Sequence, residues 1–154
     1  MPHSGQLPRP PNGLIRALYE AGLGPVIGRV VLLLTTTGRK TGQARVTPLQ
    51  YEIVDGAVYV ASAWGPGADW VRNLRADPQV GVRLGGERWP GRAEVTTDPA
   101  RIADFLELRL RRHPRMIGLI MRLDGLPSHP SRADLLAYAA RLALVIIRRE
   151  PSSH

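Results

Sequence analysis

The sequence predicts a mainly β protein of the α+β kind: six antiparallel strands curled into a barrel, with helices packed outside. Three observations lead there. Short apolar or β-branched runs follow one another with hairpin turns between them, Asp55-Gly56 and Gly85-Gly86. Helical periodicity is confined to the N-terminal part, to one short segment after the third strand and to the stretch before the last. No strand–helix–strand repeat occurs and no G-x-G-x-x-G opens a helix, which argues against a doubly wound parallel sheet. A sandwich with appended helices is the rival arrangement.

Residues 1–12 hold Pro2, Pro8, Pro10 and Pro11 and are expected to be a flexible leader to a single domain over 13–150, with 151–154 as a tail. Leu14, Ile15, Leu18, Tyr19 and Leu23 recur at helical spacing, giving a short amphipathic helix that stops at Gly22 to Pro25. Strands are expected at Val30–Thr36, Arg45–Val54 and Ala57–Ser62. Gly65-Pro66-Gly67 then breaks the chain. Asp69 is expected to cap a short helix carrying Trp70, Leu74 and Arg75, ended by Asp77-Pro78. Val80–Leu84 and Arg88–Thr96 form a further hairpin. Helices are expected at Pro99–Arg112, Arg115–Leu123 and Arg132–Ala140, before a last strand at Leu142–Arg149.

The 154 residues suffice for one domain with its own core. There is no cysteine, which removes disulfides, thiolate nucleophiles and thiolate metal sites, and fits a reducing compartment such as the cytoplasm. The four histidines are scattered without metal-ligand spacing, so no metal is expected. A net charge of +8 calls for an acidic partner: a polyanionic small molecule, an anionic membrane surface or nucleic acid. Few aromatics and no recognition motif argue against nucleic acid. No apolar run approaches the ~20 residues of a membrane span, so any membrane association would be peripheral, at the inner face, through the N-terminal helix.

The stretch from Thr35 to Arg45 carries the strongest chemical signal. A glycine-bounded turn presents Arg39, the protein's only lysine, Lys40, and Arg45, beside the hydroxyls of Thr36, Thr37 and Thr41. Three cations with glycine-freed backbone N–H groups suit a phosphate or carboxylate; a solvated basic turn is the plain alternative. Downstream, Ala61-Ser62-Ala63-Trp64-Gly65 offers small residues at a strand end, where a planar ring can approach the backbone, and Trp64 or Trp70 can wall the slot.

Taken together these residues resemble the deazaflavin-dependent nitroreductases. The family pattern runs T-T-x-G-R-K-[ST]-G-x-x-R-x-x-P-L, then A-S-x-G-G, then W-x-x-N-L-x-x-x-P. Here it reads Thr36-Thr37-Gly38-Arg39-Lys40-Thr41-Gly42, Arg45, Pro48-Leu49, Ala61-Ser62, Trp70, Asn73-Leu74 and Pro78, with close correspondence over residues 30–84. The resemblance implies a split β-barrel of the FMN-binding kind that binds the 5-deazaflavin coenzyme F420. Arg39, Lys40 and Arg45 would hold its anionic tail, with Thr41 and Thr47 donating hydroxyl hydrogen bonds. Pro48, Leu49, Ala61, Ser62, Ala63, Trp64, Trp70, Asn73 and Leu74 complete the implied coenzyme site.

A coenzyme that carries the hydride removes the need for a catalytic acid–base pair, and no catalytic side chain is assigned. The implied reaction is hydride transfer to a quinone or other conjugated electrophile, nitroaromatics included. Two departures stand out. Ala63 and Trp64 occupy positions where the family often has lysine and glycine, and Gln50 stands where an aromatic residue often faces the substrate. Tyr19, Gln50 and Tyr138 are the candidate substrate residues. A non-catalytic carrier of F420, a fatty acid or a tetrapyrrole is the alternative from another class, and an FMN-binding relative is a third. Oligomeric state is not legible.

Overall fold

A computed structural model describes residues 31–151. The expected leader, the N-terminal helix with Tyr19, and residues 152–154 lie outside the described residues. Among these, the elements run β1 (Val31–Thr37), β2 (Ala44–Gln50), β3 (Glu52–Val54), β4 (Ala57–Ser62), a 3-10 turn (Gly65–Gly67), α1 (Asp69–Ala76), β5 (Gln79–Leu84), β6 (Glu87–Thr96), α2 (Pro99–Arg112), α3 (Pro114–Leu123), α4 (Arg132–Ala139) and β7 (Ala143–Arg149). The expected mainly antiparallel barrel with outer helices is what forms, with one correction: the strands among the described residues number seven, not six.

The extra strand has a geometric cause. The expected strand Arg45–Val54 is split at Tyr51, because the chain changes partner there: Gln50 still faces Val31 of β1, whereas Glu52 faces Tyr59 of β4. The sheet order is β2-β1-β5-β6-β7-β4-β3, so its two edges are successive pieces of one strand bent at Tyr51. The covalent link between the edges is what curls the sheet. Pro48, which has no N–H to offer, is accommodated because β2 is an edge strand with a single partner.

Both hairpins form where the turn residues place them. Asp55 (φ 50°) and Gly56 (φ 80°) both sit in the left-handed region, the backbone of a two-residue turn that matches strand twist. Alternation along the strands then divides the buried side chains. Leu32, Leu34, Val58, Val60, Val80, Val82, Val145 and Ile147 point into the barrel, where Trp70, Val71 and Leu74 of α1 plug one end. Leu144 and Ile146 of β7 point the other way, against Ile102, Phe105 and Leu106 of α2, Ile117 and Met121 of α3, and Leu135 and Ala139 of α4. β7 is therefore apolar on both faces, which explains its unbroken run Ala-Leu-Val-Ile-Ile.

The helix starts follow local chemistry. Asp98 accepts from the Ala100 N–H at 3.1 Å with Pro99 in the first turn, and Ser131 and Asp134 cap reciprocally at 3.1 and 2.8 Å. α1 differs from expectation. Its N-cap is Ala68, with no side-chain cap, and Asp69 is the first helical residue instead. That frees the Asp69 carboxylate for another partner.

Candidate functional site

The β1–β2 turn folds on itself before it meets anything else. Gly38 N–H donates to the Gln43 carbonyl at 2.7 Å, Gly42 N–H to the Gly38 carbonyl at 2.8 Å, and Gln43 N–H to Thr41 Oγ1 at 3.2 Å. Gly42, at φ 73°, supplies the left-handed step that reverses the chain. The expectation that the glycine N–H groups serve an anion is thus corrected: the turn uses both to close itself. Thr41 accepts from the turn and keeps its hydroxyl proton to donate.

Asn73 anchors this turn to the barrel. It is 4% exposed, and its Oδ1 accepts from Arg39 N–H at 3.2 Å and from Arg39 Nη1 at 2.8 Å, while Nδ2 donates to Thr36 Oγ1 at 3.4 Å. Arg39 Nη2 also pairs with Asp69 Oδ1 at 3.2 Å, and Nη1 reaches the Asp69 carbonyl at 3.4 Å. Asp69 and Asn73 are four residues apart on α1, so both face the turn. Of the three cations expected to hold an anion, Arg39 is already engaged by α1. Lys40 and Arg45, both exposed, form no ion pair among the described residues.

The turn and α1 enclose a cavity of about 720 Å³ whose lining includes Arg39, Lys40, Thr41, Arg45, Thr47, Asp69, Trp70 and Asn73. Its one carboxylate, Asp69, is matched by Arg39, which leaves Lys40 and Arg45 to set the sign of the field. A second hollow of about 340 Å³ shares Thr47, Asp69 and Trp70 with the first and is completed by Trp64, Gly67 and Ala68. Trp70 lines both. It is 5% exposed, and its indole Nε1 is buried with no hydrogen-bond partner among the described residues.

Of the sequence-predicted coenzyme residues, Arg39, Lys40, Thr41, Arg45, Thr47, Trp64, Trp70 and Asn73 come together around these two hollows. The others sit elsewhere. Leu49 and Leu74 are core side chains, and Pro48 faces Leu33 across the β1–β2 ladder. Ala61 and Ala63 line neither hollow. Buried Ser62 donates to the Gly65 carbonyl at 2.9 Å, so its hydroxyl fastens the strand end. Gly65 (φ 64°) completes that fastening, since an added Cβ would lie 2.8 Å from the Arg141 carbonyl oxygen.

Of the substrate candidates, Tyr19 lies outside the described residues, and Gln50 and Tyr138 line neither hollow. Gln50 Oε1 accepts from Arg109 Nη2 at 3.2 Å, outside both hollows. Tyr138 donates to Asp124 Oδ2 at 2.6 Å and lies under Arg141, 4.9 Å from its ring centre; burial first, then the Asp124 bond, raises its pKa above the ordinary tyrosine value. Sequence reasoning missed Asp69 as a site residue. The i, i+4 spacing with Asn73 was the available signal.

The family described as F420H(2)-dependent quinone reductase matches residues 18–116. Rv1261c of Mycobacterium tuberculosis, named an F420H(2)-dependent quinone reductase, is 44% identical over 99 residues. That alignment covers 57% of this chain and 62% of the relative, less than two thirds of the relative's length. Among solved structures, the conserved hypothetical protein Rv2991 of Mycobacterium tuberculosis superposes with a TM-score of 0.58 at 18% identity, over 86% of this chain and 81% of that one. An F420-H2 dependent reductase superposes with a TM-score of 0.50 at 22% identity, over 77% and 94%. The two superpositions establish a shared split-barrel fold, and the match over residues 18–116, which spans the cationic turn, α1 and both hollows, carries the assignment: the chain belongs to the F420H(2)-dependent quinone reductase family.

Proposed function

We propose that this protein binds coenzyme F420 at the cationic turn and uses its reduced form to reduce a quinone. The observation that carries the reading is the pair of uncompensated cations, Lys40 and Arg45, lining one hollow, beside a second hollow that shares Thr47, Asp69 and Trp70 with it and is walled by Trp64 and Trp70. The donor set fits the coenzyme. A phosphodiester and polyglutamate tail supplies several anionic groups for Lys40, Arg45 and the Thr41 hydroxyl, whereas FMN offers one phosphate. Trp64 and Trp70 give the apolar surface on which a flat ring system would rest.

When bound, the reduced deazaflavin supplies the hydride from its own ring carbon; the quinone takes up that hydride and a proton and leaves as the quinol. The chain's own part is to bind and orient. Arg39, held by Asn73 and Asp69, fixes the turn so that Lys40 and Arg45 meet the tail with little reorganisation. Nitroaromatic reduction would be a side activity of the same site. Reduced F420 mixed with the protein and a menaquinone analogue should lose its reduced-state absorbance with multiple turnovers. Binding without turnover with any quinone would reduce the protein to a carrier, and absence of binding would remove the reading altogether.

A further inference from the structure

Five large apolar side chains are conspicuously exposed among the described residues, and four of them lie at one end of the barrel: Ile53 (45%), Met116 (39%), Leu119 (49%) and Leu123 (43%). The fifth, Trp64, belongs to the groove described above. Met116, Leu119 and Leu123 follow the i, i+3, i+7 spacing of a single helix face, while Ile117 and Met121 of the same helix are buried in the outer core. α3 is therefore apolar on two sides, and among the described residues only one of them is covered. Ile53 belongs to the same end, because its carbonyl accepts from Arg112 Nη1 at 2.8 Å, two residues before α3 begins.

The rim of this face is mainly cationic, its carboxylates being exposed Asp55 beside Ile53 and half-buried Asp124 after Leu123, which accepts from Tyr138. Between residues 111 and 123 stand Arg111, Arg112, Arg115 and Arg122, with no aspartate or glutamate. Arg112 is matched by Glu52 at 3.2 Å, but Arg111, Arg115 and Arg122 form no ion pair among the described residues. On a helical projection Arg115 and Arg122 sit together beside Leu119, so the guanidinium groups flank the apolar stripe. No cavity described above is lined by α3, and the stripe stands out from the surface instead of forming a slot for a partner's side chain.

We propose that α3 with Ile53 is a docking face for an anionic lipid bilayer, the leucines and methionine entering the acyl boundary and the arginines meeting the headgroups. Its place in the barrel suits that partner. β2 runs from the cationic turn at Ala44 to Gln50, and β3 follows at the far end, so Ile53 and α3 lie at the pole away from Lys40 and Arg45. A bilayer met by that pole leaves the groove for a polyanion in water, clear of the repelling headgroups.

The test is co-sedimentation of the full chain, without coenzyme, with vesicles of phosphatidylcholine alone or mixed equally with phosphatidylglycerol. Binding is expected to the mixed vesicles, much less to the neutral ones, and to weaken with salt. The Leu119→Gln, Leu123→Gln pair should bind about tenfold more weakly or worse, and the Arg115→Gln, Arg122→Gln pair about tenfold more weakly on the anionic vesicles. Far-ultraviolet circular dichroism confirms that each variant is folded. A chain that stays in the supernatant overturns the proposal, as does wild-type binding by both pairs. Loss of a lipid-free dimer in the leucine pair also overturns it, by showing the face to be covered by a second copy. Because coenzyme is absent throughout, the outcome is separate from that of the function proposed above.

Discussion

Asn73→Ala is the perturbation that distinguishes an anchored turn from a merely basic one. The native side chain makes three hydrogen bonds while 4% exposed: two accepted from Arg39, one of them charge-assisted at 2.8 Å, and one donated to Thr36 at 3.4 Å. The neutral bond to the Arg39 N–H contributes ~1 kcal/mol, the charged one ~1.5–2, and the long bond to Thr36 little. Water can reach Arg39, whose side chain is 20% exposed, and offsets part of the loss. A net destabilisation of ~2 kcal/mol is expected, read as a shift of the urea midpoint at unchanged slope. Coenzyme affinity, followed by its fluorescence, should fall roughly tenfold as well, since Lys40 and Arg45 remain but no longer sit on a fixed turn. Lys40→Ala should lower affinity and leave the urea midpoint alone. An Asn73→Ala protein within ~0.5 kcal/mol of wild type, or one that binds coenzyme equally well, would refute the anchoring role.

Three further outcomes follow from the packing. Glu52→Gln removes a carboxylate, its side chain 6% exposed, that meets Arg109 Nε and Arg112 Nη1 at 3.2 Å and His113 Nε2 at 3.1 Å, and should cost ~2–3 kcal/mol in guanidinium unfolding. Tyr138→Phe should cost ~1–2 kcal/mol at neutral pH. In the folded state burial and Asp124 keep the Tyr138 proton on above the ordinary value near 10, so the unfolded chain binds fewer protons there. Stability conferred by Tyr138 is therefore fully present below pH 10 and declines above it, and a pH series of melting temperatures should show the wild type converging on Tyr138→Phe. Gly118 lies inside α3 with open space around an added Cβ, so Gly118→Ala should raise stability by ~0.5–1 kcal/mol in the same unfolding assay.

Much of the architecture was legible because period and punctuation agree. Asp55-Gly56 and Gly85-Gly86 gave the hairpins, helical spacing gave the helices from Pro99 and Arg132, and the β-branched run Leu142–Arg149 gave the last strand. The break at Tyr51 was not legible: alternation continues through it, and only the change of partner from β1 to β4 interrupts the strand. At the site, residue types were readable but their division of labour was not. Three cations in eleven residues look equivalent in sequence; α1, folding back across the turn, claims Arg39 and leaves the other two. The Ser62 hydroxyl bond was not legible either, because its partner is a carbonyl three residues on, in a turn whose shape depends on the close approach of Gly65 to Arg141.

The most direct test of the account is a parallel titration of the wild type and Lys40→Ala with F420 and with FMN at low and high salt. A turn built for a polyanion should bind F420 at least about tenfold more tightly than FMN, lose much of that margin in Lys40→Ala, and lose it again with salt. Equal affinity for the two, or an F420 affinity indifferent to both Lys40 and salt, would contradict the central claim.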